Sequence, residues 1–302
     1  MAGTSVPRIV VVSRSTEYAD LLARHGTREQ ARFFLETRGR SIDEVEARDA
    51  TQRNALVTVT AAVPADWRRA RVERSDLDRF LFEPDDVVVT VGPSGLVANV
   101  AKYLDGQPVV GINPDPARDG ALLARLQPGD AGELIRAAAA GAAPLDERTM
   151  VEAVLDDGQR VLALNEVFLG HRSHQSARYL IRCPAGEEHQ SSSGIVVTTG
   201  TGATGWGRSI GLERHTALRL PAPGEPRLAF FVREAWPSPS FGTSLTEGDI
   251  GPEDRLEVVS ELNEGGVVFG DGIESDRVDF GWGVLARLGI ASERLRLVEP
   301  PG

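Results

Sequence analysis

The stretch Val87–Val100, "VVVTVGPSGLVANV", decides how this 302-residue chain is read. Five β-branched residues in a row suit a strand buried on both faces, since an all-apolar run has no solvent side. Gly92-Pro93 breaks the run. The following "SGLVANVAKYL" carries the apolar spacing of a helix. A strand running through a glycine turn into a helix is the unit of parallel α/β sheets. It is also where such proteins hold phosphates, because turn N–H groups and the positive helix end converge there. This turn holds no lysine, arginine or carboxylate. Glycine turns are common in any parallel sheet, so alone it argues a fold and not a site.

Outward from this stretch the same alternation continues. Arg8–Val12 is a β-branched run that predicts a first strand, and "ALVTVTAAV" (Ala55–Val63) reads as a second. Between them Glu17–Arg53 is charged and helical, with Leu21, Leu22, Phe33, Phe34, Leu35, Ile42 and Val45 as its apolar marks. Trp67–Leu81 mixes helix and strand signals. "QPVVGINPDP" (Gln107–Pro116) is a further strand ending at a turn. The expectation is a parallel sheet covered on both faces.

Beyond about residue 130 the character changes. "AGELIRAAAAGAAP" (Ala131–Pro144) predicts a helix and a break, and its alanines are helix formers. Short β-rich segments follow: "RTMVEAVL", "QRVLALNEVFLG", "ARYLIRC", "GIVVTTG", "RLAFFVRE", "DRLEVVSEL", "GGVVFGDG" and "RVDFGWG". Punctuated by Gly, Pro and Asp, they predict an all-β unit.

Composition narrows the function. With 41% hydrophobic and 25% charged residues the chain has ample material for a core. A net charge of −11 excludes a broad nucleic-acid surface, which needs a basic face. No apolar run reaches bilayer-spanning length, and the start "MAGTSVPRIVVVSR" lacks a secretory pattern, so the expected location is cytoplasmic. Cys183 is the only cysteine, which rules out an intramolecular disulfide and predicts a packed or half-buried thiol.

Two further segments carry chemistry. In "ALNEVFLG" (Ala163–Gly170), Asn165-Glu166 interrupts an apolar strand. An amide beside a carboxylate can hold the hydroxyls of a ribose or a base edge, or it can be a polar pair at a strand bulge. In "SSSGIVVTTGTGATGWGRSI" (Ser191–Ile210) a strand runs into Thr199, Gly200, Thr201, Gly202, Ala203 and Thr204. Small and hydroxylated residues would admit a ligand close to the backbone. Trp206 can stack on a base or serve as a core aromatic. His171 and His174 in "GHRSHQS" read as part of a solvated hairpin loop, and no metal site is expected.

Together these segments resemble the NAD kinase family, specifically its mitochondrial-type branch. "VVVSRSTEY", "PVVGINPDPARDG", "ALNEVFLG", "SSGIVVTTGTGATGW", "FFVREAWPS" and "GDGIESDRVDF" carry the resemblance over most of the chain. It implies a Rossmann-like α/β domain over residues 1–135 and a β-rich nucleotide-binding domain over 136–285, with 286–302 returning to the first. It implies a homodimer or larger oligomer, with small-molecule nucleotides as partners. The activity implied is transfer of the ATP γ-phosphoryl to the 2′-hydroxyl of the adenosine ribose of NAD, with Mg, giving NADP. Asn165 and Glu166 would hold ribose and adenine, Thr199–Thr204 would line the nucleotide site, and Trp206 would form a wall. Asp115 and Arg118 would sit near the domain boundary.

One motif departs from that family. Its Gly-Gly-Asp-Gly-Thr, whose aspartate accepts the ribose proton, aligns with Gly92-Pro93-Ser94-Gly95-Leu96. Gly92 and Gly95 remain. Ser94 stands at the aspartate position and would serve as an N-cap, Pro93 removes a donor, and Leu96 removes a hydroxyl. Glu166 is the first candidate to replace the base. Asp271 is the weaker one, because Gly-Asp-Gly often marks only a tight turn. Three readings stay open: an altered NAD kinase-type phosphotransferase, a non-catalytic NAD or NADP sensor, and an enzyme acting on another nucleoside-like substrate.

Overall fold

Val87–Val91 forms a strand whose five residues are all buried, as its lack of alternation requires. The computed structural model describes residues 6–116 and 122–300. The chain divides into two units, residues 1–146 with 296–302, and residues 147–295.

The first unit runs β1 (Arg8–Ser13), α1 (Glu17–His25), α2 (Arg28–Glu36), α3 (Ile42–Ala62), β2 (Arg68–Glu73), β3 (Val87–Val91), α4 (Ser94–Ala101), β4 (Pro108–Ile112) and α5 (Ala131–Ala139). Its strands are parallel in the order β2-β1-β3-β4. Val87, Val89 and Val91 pack with Ala55, Leu56 and Val59 of α3 and Leu134 and Ile135 of α5. The intervening Val88 and Thr90 are equally buried. Caps set the helix starts: the Thr16 hydroxyl accepts from Ala19 N–H, and Thr27 does the same for Gln30.

Ala55–Val63 corrects the sequence expectation. It forms the last turns of α3, not a strand. Ala55, Leu56, Val59 and Val63 are buried, while Val57 is 69% exposed. That spacing is helical, so packing overrides the β-propensity of the Val and Thr residues. The ambiguous Trp67–Leu81 segment supplies β2 instead.

The second unit begins within β5 (Leu145–Leu155). It continues with β6 (Arg160–Ala163), β7 (Glu166–His171), β8 (Ala177–Cys183), β9 (Gly186–Ser192), β10 (Gly194–Thr198), α6 (Trp206–Arg214), β11 (Leu228–Arg233), β12 (Glu247–Ile250), β13 (Leu256–Ser260), β14 (Gly266–Gly270), β15 (Val278–Asp279) and most of β16 (Leu285–Val298). One antiparallel sheet has the order β12-β11-β10-β7-β14-β15. In the other, β13 lies between β16 and β8, and β8 pairs with β9. Alternate residues of both, such as Val167, Leu169, Ile195 and Val197 from one and Tyr179, Ile181, Val258 and Leu288 from the other, share a single core.

This arrangement corrects a second expectation. The "GHRSHQS" loop does not close a hairpin, because β7 and β8 belong to different sheets. His171 is buried at the end of β7, and its Nδ1 meets Ser173. Cys183 is a free, half-buried thiol at the end of β8. Among the described residues, no helix is long and apolar enough to cross a membrane.

Candidate functional site

Between β6 and β7 the chain bends at Leu164-Asn165, where sheet pairing is interrupted. The main-chain groups there are nonetheless all engaged. Asp271 accepts the Leu164 N–H at 3.0 Å through Oδ2 and the Asn165 N–H at 2.6 Å through Oδ1. The Asp271 N–H donates in turn to the Glu166 carbonyl at 3.0 Å. From the other side, Thr199 Oγ1 donates to the Leu164 carbonyl at 2.6 Å, and the Thr199 N–H donates to the Asn165 carbonyl at 2.9 Å. A bend with every main-chain group satisfied is rigid.

The side chains at this bend are in the opposite condition. Asn165 and Glu166 are half-buried. Neither side chain has a hydrogen-bond partner among the described residues. Burial, and then the nearby Asp271 carboxylate, push the Glu166 carboxyl up to about 7. Such a group exchanges its proton near neutrality, as a general acid or base must. Half-buried polar side chains with no partner in the protein are characteristic of a binding site.

The Thr-Gly segment packs against this bend, but its residues are spent differently from expectation. Thr199 Oγ1 also accepts the N–H groups of Thr201 and Gly202. Thr204 Oγ1 donates to the Thr201 carbonyl, and Thr201 Oγ1 accepts from Arg148 at 3.5 Å. The hydroxyls therefore fold the loop itself. A Cβ at Gly202 would collide with the Asn165 carbonyl, and one at Gly200 with that of Ala222. These glycines are required by close packing within the protein. Gly205 is exposed and open, and with Thr204 it forms the rim of the loop, while Ala203 is buried beneath.

Trp206 begins α6. Its ring is near-parallel to Phe168 at 6.0 Å, with the Arg233 guanidinium 5.5 Å from its centroid. Both contacts are internal, and the ring packs on the cluster of Phe168, Val196, Ile210 and Phe231. Trp206 itself is partly buried.

In the first unit, the Gly92–Leu96 turn lies at the C-terminal end of β3. Gly92 N–H donates to the Ile112 carbonyl and Leu96 N–H to that of Pro93, so two of its amides serve the turn. Ser94 is not the N-cap: Pro93 occupies that position, and Ser94 is the first residue of α4. The Ser94 oxygen instead accepts from Leu123 N–H at 3.1 Å and Ala124 N–H at 3.5 Å. Gly95 faces open space. Asp115 lines, with Arg14, Thr16, Arg48, Asp49 and Pro93, a cavity of about 350 Å³ beyond the C-terminal ends of β1, β3 and β4. Open α/β sheets receive ligands at that edge. Arg118 lies outside the described residues.

The sequence assigns Asp271 only the place of a weaker candidate base at a tight turn, and assigns Arg148 no role. Arg148, a buried cation beneath the Thr-Gly loop, was hidden in an alternating strand. Among the described residues, no cluster of three or more His, Cys, Asp or Glu side chains is placed to hold a metal ion.

The architecture, a parallel α/β unit and an antiparallel β-rich unit, is the fold of NAD kinases. Over 98% of its length the chain superposes on 84% of yeast NADH kinase, solved with NADH, with a TM-score of 0.62 and 12% identity. The NAD kinase of Archaeoglobus fulgidus, solved with ATP, matches over 97% of this chain and 93% of its own, with a TM-score of 0.57 and 17% identity. No family model and no curated protein matches the sequence.

Proposed function

We propose that this chain is an NAD kinase-type protein that binds NAD, NADP or a related adenine nucleotide through Asn165 and Glu166. One observation carries the reading: a bend whose backbone is fully bonded presents an uncommitted amide and an uncommitted carboxyl side by side. An adenosine ribose offers hydroxyls that both donate and accept, the complement of that pair. Proteins of this fold have been solved with NADH and with ATP, which supports the same ligand class.

The reaction in this reading is transfer of the ATP γ-phosphoryl to a ribose hydroxyl. Ser94 cannot replace an aspartate as proton acceptor at neutral pH, and its oxygen already receives main-chain N–H groups. Loss of such a base lowers a rate by roughly 10² to 10⁴. Phosphoryl transfer rests mainly on positioning and charge stabilisation, so a slow activity survives. Glu166 is the group suited to take the proton. Magnesium would enter with the ATP phosphates, which supply most of its oxygen ligands. A homodimer acting in the cytoplasm belongs to the same proposal.

The bonding of Ser94 to Leu123 and Ala124 also favours a second reading, a nucleotide sensor that performs no transfer. Incubation with NAD, ATP and magnesium separates the two. NADP formation abolished by Glu166→Ala supports the kinase. NAD binding without NADP leaves the sensor.

A further inference from the structure

We propose that Asp271 is the positioning residue of this site, fixing the direction of Asn165 and Glu166 and the charge that Glu166 carries. The inference rests on the nucleotide reading of that bend. Three hydrogen bonds define the role: the Asp271 carboxylate takes the amides of Leu164 and Asn165, and its own amide holds the Glu166 carbonyl. Asp271 does this in a left-handed conformation at φ 53°, which Asp and Asn adopt more readily than other side-chain-bearing residues. Its place between Gly270 and Gly272 is thus more than a turn: one side chain binds the two residues immediately before the proton-exchanging carboxyl.

The same carboxylate supplies the charge near Glu166. Across the sheet from Glu166 stands Thr198 of β10, a neutral residue. On the β14 side stands Asp271, with the acids Glu274 and Asp276 further along its loop. Arg148, the cation beneath the Thr-Gly loop, meets Thr201. The neighbouring carboxylate that opposes ionisation of Glu166 is therefore the one that clamps its backbone. Asp271→Asn retains the left-handed backbone and one acceptor oxygen, but not the charge.

The test reads the ionisation of Glu166 directly, from the pH dependence of its side-chain ¹³C carboxyl resonance, assigned with Glu166→Gln. NAD affinity is measured on the same samples by calorimetry. The unaltered protein is expected to titrate near neutrality, with the midpoint lower by up to about one pH unit in Asp271→Asn, since burial is the larger cause and stays. NAD affinity should fall at least about tenfold in Asp271→Asn, and Asp271→Ala should be weaker still. An unmoved midpoint in a folded Asp271→Asn overturns the inference. So does an ordinary carboxyl midpoint in the unaltered protein, a result that needs no variant to fold. A midpoint that moves as expected in a protein that binds no NAD keeps the Asp271–Glu166 coupling and overturns the nucleotide reading instead.

Discussion

Thr199 Oγ1 stands 2.6 Å from the Leu164 carbonyl and joins the Thr-Gly loop to the bend that presents Asn165 and Glu166. The same oxygen accepts two amides of its own loop. Thr199→Val keeps the shape and removes all three bonds, leaving buried polar groups unpaired. The expected cost is about 1–3 kcal/mol of stability, together with weaker nucleotide binding. Thr199→Ser should recover most of both. Chemical denaturation and calorimetry check this.

Gly202 and Gly205 lie in the same loop, and their substitutions should behave differently. A Cβ on Gly202 meets the Asn165 carbonyl, which the Thr199 N–H holds, and lies 2.5 Å from Thr198 Oγ1. Gly202→Ala should therefore cost about 1–3 kcal/mol and displace Asn165. Gly205→Ala meets nothing closer than the Gly202 carbonyl at 3.7 Å, so in a thermal melt it should cost less than Gly202→Ala and leave Asn165 in place.

Glu166 gives a pH dependence of definite sign. Its carboxyl is raised from the usual 4.5 to about 7, so between those values the folded chain holds a proton that the unfolded chain has lost. Its contribution to stability is complete below about pH 4.5 and is lost as pH rises through 7. The full difference is about 3 kcal/mol, at about 1.4 kcal/mol per pH unit. Glu166→Gln should abolish this slope and become more stable than the unaltered chain at pH 8. An equal change in unfolding free energy between pH 5 and pH 8 in the two proteins, read by denaturant titration, would contradict the assignment.

Ser94→Asp restores a proton acceptor at the start of α4. If transfer is limited by the missing base, NADP formation should rise by roughly 10² to 10⁴. A carboxylate can still accept the Leu123 N–H, so stability should change little. An unchanged rate would place the limitation elsewhere in the turn, for which Pro93→Gly is the next variant.

The strands that build the sheets were legible because burial leaves a simple trace: "VVVTV" and "GIVVT" carry no charged residue and are buried throughout. Ala55–Val63 was misread because its β-branched residues conceal a helical spacing that only the packed sheet reveals. The strand "GEEHQSS" was missed because it is polar and owes its conformation to pairing with β8. Helix α6 was missed because "WGRSIGLER" contains two glycines and a weak apolar face. Asn165 and Glu166 were legible as polar residues interrupting an apolar strand. The contacts of Asp271 with the bend were not, because they join it to residues over a hundred positions earlier.

The most direct measurement is calorimetric titration of the purified chain with NAD, beside Asn165→Ala and Glu166→Gln. Binding by the unaltered protein, weakened at least about tenfold by each substitution, is the expected result. Equal affinity in all three proteins, or no binding in the unaltered one, would remove the Asn165–Glu166 bend as the nucleotide site.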